Sequence, residues 1–517
     1  MSKLLYLVNP RADIECYFGT DVFRAATLES VAYFTDLATT TIASLAKPFL
    51  NVKLCEEEIF PVDFDIDADF IGITGKISQR KGMIRIAEEF RKRGKVIIIG
   101  GPYATLNPES VRPYCDILVH GELENISASL FSDLVNGSWK NEYFGTPSDL
   151  TNSPVPDLSL YPNSRAVSGA IQISRGCPFN CDFCEVVQYL GKKQRYKPVD
   201  SIIRELDNIY ESGYTDVFIS DDNLTGNRKK AKEVLGAIIE WNKIEQKKRK
   251  ISFTVQVSVN VADDDELLDL MAQASIDLAF VGLETINIES LKSAGKQHNL
   301  TDMKAKIHKL VNFGIQPLSG IIVGFDFDTV KIFREIRDFF ALLPIPIYTI
   351  QSLIAFSTTP LYKRLKSEGR INTGASPDAY LIPTNTNVIP KLMTSKELED
   401  GVKWLSSNMY HPYFYEQRVS RMLQDLNYET RPWYLEGYTS PNYEREDRKW
   451  FYEQSLKTIG YLYNMGKDEK KMVLNLQKIS ESYPYKSPLV TTYLVRYSQI
   501  RYFLNRLGIY DPALVEL

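Results

Sequence analysis

Short apolar runs alternate with charged segments over the first 145 residues of the chain. Five of these runs predict buried strands, at residues 4–8, 51–55, 70–74, 96–99 and 117–119. The segments between them, such as residues 84–93, have the spacing of apolar positions that is typical of helices. Because strands that alternate with helices form parallel sheets covered on both faces, residues 1–145 are predicted to form a doubly wound, Rossmann-like α/β domain.

A second alternation of strands and helices follows a polar segment, residues 146–165, which contains four prolines and is predicted to be a linker. Six further strands are expected at residues 170–174, 216–220, 253–257, 278–281, 315–323 and 348–355. Helices are expected at residues 200–212, 228–246, 263–273, 288–294, 302–313 and 329–343. Six such repeats over residues 166–390 predict a partial or full β/α barrel, with its chemistry at the carboxyl ends of the strands. Of the two, the expected fold is a partial barrel of the (β/α)6 type.

The pattern changes again in residues 391–517, where helical segments predominate and no strand is expected. Of the 30 tyrosines, 16 follow residue 400, so this region is unusually rich in large side chains with one polar end. One interpretation is a helical domain that packs on the barrel. The other is a lid that lines an apolar or amphipathic substrate pocket.

The net charge of −4 argues against a dedicated nucleic-acid-binding protein, which usually carries an excess of basic residues. The apolar run at the N-terminus is too short for a signal peptide. The longest stretch without charge, residues 339–362, is interrupted by Pro344, Pro346 and Pro360, so no membrane span is predicted. The expected location is the cytoplasm, where thiols stay reduced.

Three segments that follow strands of the first domain are candidates for ligand binding: residues 74–78, 100–104 and 120–122. Ligands of doubly wound sheets lie beyond the carboxyl ends of the strands. The pair Gly100 and Gly101 allows a close approach of the backbone to a ligand, although a simple turn would explain it too.

Three of the six cysteines fall within eight residues, at Cys177, Cys181 and Cys184, directly after a predicted strand. Six cysteines are too few for a disulfide scaffold in a chain of 517 residues. Three thiolates on one loop can hold a metal centre, and a [4Fe–4S] cluster with only three would keep one iron open, because such a cluster normally takes four. A zinc site completed by a distant residue and a group of ordinary buried cysteines are the alternatives.

The spacing C-x3-C-x2-C, with Phe183 before the last cysteine, resembles the signature of the radical S-adenosylmethionine (radical SAM) superfamily. The resemblance implies that Cys177, Cys181 and Cys184 hold a [4Fe–4S] cluster. The open iron would chelate the amino and carboxylate groups of SAM. One electron would then cleave SAM to a 5′-deoxyadenosyl radical, which abstracts a hydrogen atom from the substrate.

The same resemblance extends to the ends of later strands. The segment 221–227 follows the second barrel strand, where this superfamily usually receives the amino group of SAM. The resemblance implies SAM contacts at Phe183, Arg195, Asp221, Asp222, Asn223, Gln256, Ser258, Glu284 and Gly324.

The order of domains resembles the cobalamin-binding subclass of this superfamily, and within it the group that contains the hopanoid C-2 methylase. Matching stretches include residues 282–285, 324–328, 361–370 and 387–393. The resemblance implies that cobalamin is held by Thr74, Gly75, Ser78, Gly100, Gly101, Pro102, Tyr103, Gly121 and Glu122. No histidine lies in the D-x-H-x-x-G context that supplies a lower axial ligand to cobalamin in other domains.

The function implied by this resemblance is that of a cobalamin-dependent radical SAM C-methyltransferase, which methylates an unactivated carbon with methylcobalamin as the donor. An alternative within the subclass is other radical chemistry, such as cyclisation, epimerisation or rearrangement. An alternative from another class is an iron–sulfur protein that transfers electrons or senses redox state. The expected partners are a small-molecule, lipid or peptide substrate and an electron donor such as flavodoxin or ferredoxin.

Overall fold

The computed structural model describes residues 3–243, 251–296, 302–374, 382–427, 446–483 and 486–516. Strands are numbered in chain order: β1 (Leu4–Asn9), β2 (Ala32–Phe34), β3 (Asn51–Glu56), β4 (Phe70–Thr74), β5 (Val96–Gly100), β6 (Ile117–His120), β7 (Glu142–Phe144), β8 (Ala166–Ile171), β9 (Ser174–Arg175), β10 (Arg195–Tyr196), β11 (Asp216–Ile219), β12 (Ser252–Ser258), β13 (Ile276–Glu284), β14 (Gln316–Val323) and β15 (Tyr348–Ser352).

The α-helices are numbered in the same way: α1 (Asp21–Thr27), α2 (Leu37–Ala46), α3 (Arg80–Lys92), α4 (Gly101–Leu106), α5 (Ser127–Asn136), α6 (Val186–Leu190), α7 (Val199–Glu211), α8 (Arg228–Asn242), α9 (Asp265–Gln273), α10 (Ile288–Ser293), α11 (Met303–Asn312), α12 (Ile332–Phe340), α13 (Pro360–Ser367), α14 (Ser395–Met409), α15 (Pro412–Asp425), α16 (Glu446–Tyr463), α17 (Lys467–Ser482) and α18 (Ser487–Arg506).

The chain divides into two compact units, each made of several segments. The first unit contains Met1–Ile14, Ser30–Pro178 and Glu185–Asp221, and the second contains Glu15–Glu29, Phe179–Cys184 and Asp222–Leu517. These two units are defined by contacts within the chain, which do not test the predicted domain boundaries. The predicted domains, 1–145, 166–390 and 391–517 with a linker at 146–165, stay predictions.

The first unit contains a six-stranded parallel sheet with the strand order β3-β1-β4-β5-β6-β7. The central strand β4 is buried at every residue, which explains its continuous apolar run. One apolar cluster contains Tyr6 and Phe90 and a second contains Leu5 and Phe131, so the alternating side chains of β1 belong to different clusters. The order reverses at β1 and β4, and this switch point is where doubly wound sheets bind ligands.

The predicted strands of this domain are confirmed to within one or two residues. The pattern did not predict β2 and β7, which are three residues long each. In the same unit β8 pairs in parallel with β2 and with β11, and β9 pairs with β10 in an antiparallel ribbon. The predicted strand at residues 170–174 is observed as the end of β8 and the start of β9.

The second unit contains the parallel neighbours β12, β13, β14 and β15. Helices α9, α11 and α12 follow β12, β13 and β14, as the alternation predicted. Seven of the eight residues of β14 are buried, which is typical of a strand covered on both faces. The helix predicted at residues 228–246 is observed as α8 up to Asn242, and residues 244–246 lie outside the described part of the chain.

The C-terminal part of the second unit is mainly helical, as predicted, with α14 to α18. Tyr410, Tyr415, Tyr493 and Tyr497 are all fully buried. The hydroxyl of Tyr415 donates to the carbonyl of Tyr493 at 2.8 Å, and that of Tyr497 to the carbonyl of Tyr410 at 2.7 Å. For these four tyrosines the structure favours a packed helical domain over a lid. Among the described residues no helix is both long and apolar enough to cross a membrane.

Tyr410→Phe is expected to destabilise the second unit. The Tyr410 hydroxyl accepts the backbone N–H of Tyr348 at 3.0 Å and donates to the carbonyl of the same residue. Without the hydroxyl both buried groups lose a partner, which costs about 1–3 kcal/mol. Urea denaturation measures the loss, with Tyr413→Phe as the control, because Tyr413 is 52% exposed. Equal unfolding midpoints for the two variants would contradict this role.

Candidate active site

The first cysteine of the cysteine loop, residues 177–184, follows β9 in the first unit. The backbone N–H of Cys177 donates to the carbonyl of Gly191 at 3.3 Å. Gly176 has a φ of +96°, and a Cβ at this position would lie 2.8 Å from the carbonyl oxygen of Lys193. The chain can therefore make this close turn into Cys177 only with glycine.

Asp221 holds the segment that leads into the cysteine loop. Its carboxylate accepts the backbone N–H of Ile173 at 2.7 Å and the hydroxyl of Ser174 at 2.5 Å. Asp221 is fully buried directly after β11. Its predicted contact with SAM stays a prediction, because the structure shows this carboxylate bonded to the start of the loop.

The other two cysteines belong to the second unit. The backbone N–H of Cys184 donates to the carbonyl of Cys181 at 3.2 Å, which closes a turn between them. Asp182, inside this turn, donates its N–H to the carbonyl of Ala294 at 3.2 Å and accepts the N–H of Leu361 at 3.0 Å. The end of α10 and the start of α13 therefore hold the backbone of the loop at Asp182.

Lys296 is a charged residue beside the cysteine loop that the sequence analysis missed, since the preceding Gly295 packs against Asn180 of the loop. Its side chain is buried and Nζ lies 2.5 Å from Oε1 of Glu284. Burial alone would lower the pKa of Lys296, but the Glu284 carboxylate and the sulfurs of Cys181 and Cys184 raise it above its usual value. The ammonium is therefore a fixed positive charge. No periodicity or motif marks a lysine at this position, so only the fold identifies it.

The cysteine loop offers a donor set that fits an iron–sulfur cluster. Each of the six cysteines is a thiol and not part of a disulfide. Within the described residues, no group of three or more His, Cys, Asp or Glu side chains is arranged to hold a single metal ion. A cluster makes a different demand, because each thiolate binds a separate iron atom. Three thiols within eight residues match that demand in the type and number of donors.

Three of the predicted SAM contacts lie together in the second unit. The side-chain amide of Asn223 donates to the hydroxyl of Ser258 at 2.9 Å, and the backbone N–H of Leu224 donates to the carbonyl of Gln256 at 3.0 Å. Asp222 immediately precedes this group in the chain. The end of β12 and the segment after β11 therefore present neighbouring polar side chains.

Phe183 and Gly324, also predicted SAM contacts, are linked through Phe325. The rings of Phe183 and Phe325 have centroids 6.1 Å apart. The backbone N–H groups of Gly324 and Phe325 both donate to Oδ2 of Asp328 at 3.0 Å. Burial raises the pKa of Asp328 to about 6. Asp328 thus holds the turn after β14 against the aromatic residue of the cysteine loop.

A cavity of about 360 Å³ lies within the first unit, at the carboxyl ends of β4, β5 and β6 and beside Leu5 and Leu7 of β1. Phe34, Ala170 and Phe218 also line it. Six of the predicted cobalamin contacts line the cavity, namely Thr74, Gly100, Gly101, Pro102, Gly121 and Glu122. Gly75, Ser78 and Tyr103 do not line it. Its walls, as far as the structure describes them, include no histidine.

Packing between loops explains two of these glycines. Gly101 has a φ of +90°, and a Cβ there would lie 2.4 Å from Oγ1 of Thr74. Gly121 has a φ of +69°, and its Cβ would lie 2.2 Å from the carbonyl oxygen of Gly145. Tight backbone turns are therefore sufficient to explain glycine at positions 101 and 121. The absence of a side chain at these two positions also leaves space in the cavity.

Glu122 forms a buried ion pair network at the wall of the cavity. Its carboxylate accepts hydrogen bonds from Arg175 at 2.8 Å, from Arg195 at 2.5 and 2.8 Å, and from the N–H of Ser148 at 3.0 Å. Burial would raise the pKa of Glu122, but the bonds from Arg195 and Ser148 and the charge of Arg175 hold it below its usual value. Arg195, a predicted SAM contact, is bonded to Glu122 in this structure.

The comparisons with known proteins agree with this arrangement. A family model described as the Radical SAM superfamily matches residues 171–340, and a model described as a domain of unknown function (DUF4070) matches residues 359–453. An uncharacterized methyltransferase of Synechocystis is 32% identical over 70% of this chain and 66% of its own length. The hopanoid C-2 methylase of Rhodopseudomonas palustris is 32% identical over 68% of each chain.

Among solved structures, the cobalamin-dependent S-adenosylmethionine radical enzyme OxsB, with aqua-cobalamin and S-adenosylmethionine bound, matches 98% of this chain and 80% of its own. The TM-score is 0.62 at 15% sequence identity, so this likeness concerns the fold. It confirms the predicted fold class, an α/β protein with a Rossmann-like N-terminal domain, a partial β/α barrel and a helical C-terminal region.

These matches place the chain in a family. The chain belongs to the radical SAM superfamily, in the family that includes the hopanoid C-2 methylase. The predicted family and the prediction of an enzyme are both confirmed. Both curated relatives are named as methyltransferases or methylases, which is the predicted function class.

Glu122→Gln tests the buried network. Since the folded pKa of Glu122 lies below the unfolded value of about 4.3, its contribution to stability is full above that value and is lost as pH falls through the folded pKa. The substitution removes this carboxylate from two partly buried guanidinium groups, of which Arg175 keeps Glu124 as a partner, and is expected to cost about 3 kcal/mol at neutral pH. The free energy of unfolding, measured by urea denaturation between pH 3 and 7, is expected to fall less with decreasing pH in the variant than in the wild type.

Glu89→Gln is the control, because Glu89 of α3 pairs at the surface with Arg93, just after the end of the helix. Such surface pairs contribute little to stability. If Glu122→Gln were no less stable than Glu89→Gln at neutral pH, the network would not have the role described.

Proposed function

We propose that the chain is a cobalamin-dependent radical SAM C-methyltransferase that acts on an unactivated carbon. The observation that carries the proposal is the cysteine loop, in which three thiols within eight residues are presented by a backbone bonded to its neighbours. The methyltransferase names of the two relatives and the cobalamin bound in OxsB support it.

In this proposal Cys177, Cys181 and Cys184 hold a [4Fe–4S] cluster, which supplies one electron to SAM when both are bound. The side chains of Asn223, Ser258 and Glu284 bind polar groups of SAM. Asn223 and Ser258 are held by a hydrogen bond to each other, and Glu284 is held by its ion pair with Lys296. Phe183 and Phe325 cover the site with apolar surface and exclude water from it. The electron comes from a protein donor such as flavodoxin or ferredoxin.

The cavity of the first unit is the proposed site for cobalamin, which supplies the methyl group when bound. The cavity lies at the switch point of a doubly wound sheet, and its walls combine apolar side chains with backbone at Gly100 and Gly101. Cobalamin is larger than the cavity, so the walls hold part of the macrocycle only. The substrate is a small molecule, lipid or peptide with a carbon that lacks an activating group.

Cys181→Ala tests the cluster. Reconstituted wild-type protein is expected to convert SAM to 5′-deoxyadenosine when a reductant is added under anaerobic conditions. Cys181→Ala is expected to lose this activity and most of its iron, with an unchanged circular dichroism spectrum, because the backbone bonds of the loop do not involve the thiol. Cys115→Ala is the matched control and is expected to keep both. Wild-type protein with its full iron content but no cleavage of SAM would refute the proposal.

Ala38→Trp tests the cavity. Ala38 lines it from α2 and is exposed, so a larger side chain can fill the space without entering the core. The affinity for hydroxocobalamin, followed by absorbance, is expected to fall at least tenfold, that is by about 1.4 kcal/mol. Ala128→Trp is the control, since Ala128 is exposed on α5 and does not line the cavity. Equal affinities for both variants would place cobalamin elsewhere.

A further inference from the structure

Lys296 is a buried lysine with a specific partner. It is 8% exposed, its Nζ lies 2.5 Å from Oε1 of Glu284, and the carbonyl of Gly282 is 3.5 Å away. A lysine is almost never buried to this degree unless it is paired, because removal of a charge from water is costly. The role of this lysine is therefore not to keep the protein surface hydrated, and its burial depends on its pairing with Glu284.

The backbone beside Lys296 lies directly against the cysteine loop. Gly295 has a φ of +73°, and a Cβ there would lie 2.8 Å from the carbonyl oxygen of Asn180 and 3.9 Å from Cα of Cys181. The preceding residue, Ala294, accepts the backbone N–H of Asp182. The turn that carries Lys296 is thus in contact with the segment that carries Cys181.

Glu284, the partner of Lys296, has an unusual backbone conformation. Its φ is +67°, which residues other than glycine, asparagine and aspartate rarely adopt. The pairing of β13 with β14 is also irregular between Gly282 and Glu284. Strain of this kind persists where the surrounding structure holds a side chain in a particular place, and it is concentrated at functional sites.

We propose that Lys296 is a positioning residue with two effects: it holds the carboxylate of Glu284 in place for SAM, and its charge makes the adjacent cluster easier to reduce. The inference rests on the proposed function, because it presupposes the cluster. Reduction adds one electron, and thus one negative charge, to a cluster that already has three thiolate ligands. A positive charge held nearby in a site of low dielectric constant stabilises that reduced state.

Lys296→Met removes the charge and keeps most of the volume. In reconstituted protein the ratio of reduced to oxidised cluster at a fixed solution potential is expected to fall about tenfold, which corresponds to a midpoint potential about 59 mV lower. The affinity for SAM, measured from the change that SAM causes in the electron paramagnetic resonance signal, is expected to fall at least tenfold. Lys296→Arg keeps the charge and is expected to retain the potential of the wild type.

Lys292→Met is the matched control, because Lys292 lies on α10 and pairs with Glu289 at the surface. It is expected to behave as the wild type in both measurements. A fully loaded Lys296→Met protein with an unchanged potential and SAM response would overturn the inference. If Lys296→Met binds no iron, Lys296→Gln and Lys296→Arg replace it, and equal potentials in that pair would overturn the inference too. Wild-type protein with a cluster that ignores SAM would instead refute the proposed function.

Discussion

The site depends on one constraint: a loop of eight residues must present three thiols while its backbone polar groups remain bonded. Asp221 bonds Ile173 and Ser174 before the loop, within the first unit. Ala294 and Leu361 bond Asp182 inside the loop, within the second unit. Protein groups therefore hold the backbone before the loop and at Asp182 inside it. The loop carries three cysteines and no fourth, so a [4Fe–4S] cluster bound by them would keep one iron without a thiolate from the loop.

Buried charges near the loop are paired, and the pairing explains why they are tolerated. In the first unit, the carboxylate of Glu122 accepts hydrogen bonds from Arg175 and Arg195. These bonds offset the cost of removing the carboxylate from water. In the second unit, Lys296 and Glu284 form a pair that is more than 85% buried on both side chains. Pairs of this kind contribute little net stability compared with apolar residues, so their role is to fix the position and charge of side chains.

The sequence predicted those features that depend on local pattern. The five apolar runs of the Rossmann-like domain are strands because buried parallel strands have continuous apolar sequences. The cysteine spacing is itself local and identified the family. By contrast, β2 and β7 are too short to show a period. The bond between Arg195 and Glu122 joins residues 73 positions apart, and no pattern along the chain shows such a contact. Lys296 was missed for the same reason, because the loop that contains Cys181 and Cys184 is distant from it in the sequence.

The most direct test of the central claim is the Mössbauer spectrum of protein reconstituted with iron-57, recorded with and without SAM. If Cys177, Cys181 and Cys184 are the protein ligands of a [4Fe–4S] cluster, the protein will contain about four irons per chain. Addition of SAM will then change the signal of one iron site and leave the other three unchanged. A cluster in which SAM alters no iron site, or a single bound metal ion in place of a cluster, would contradict the account.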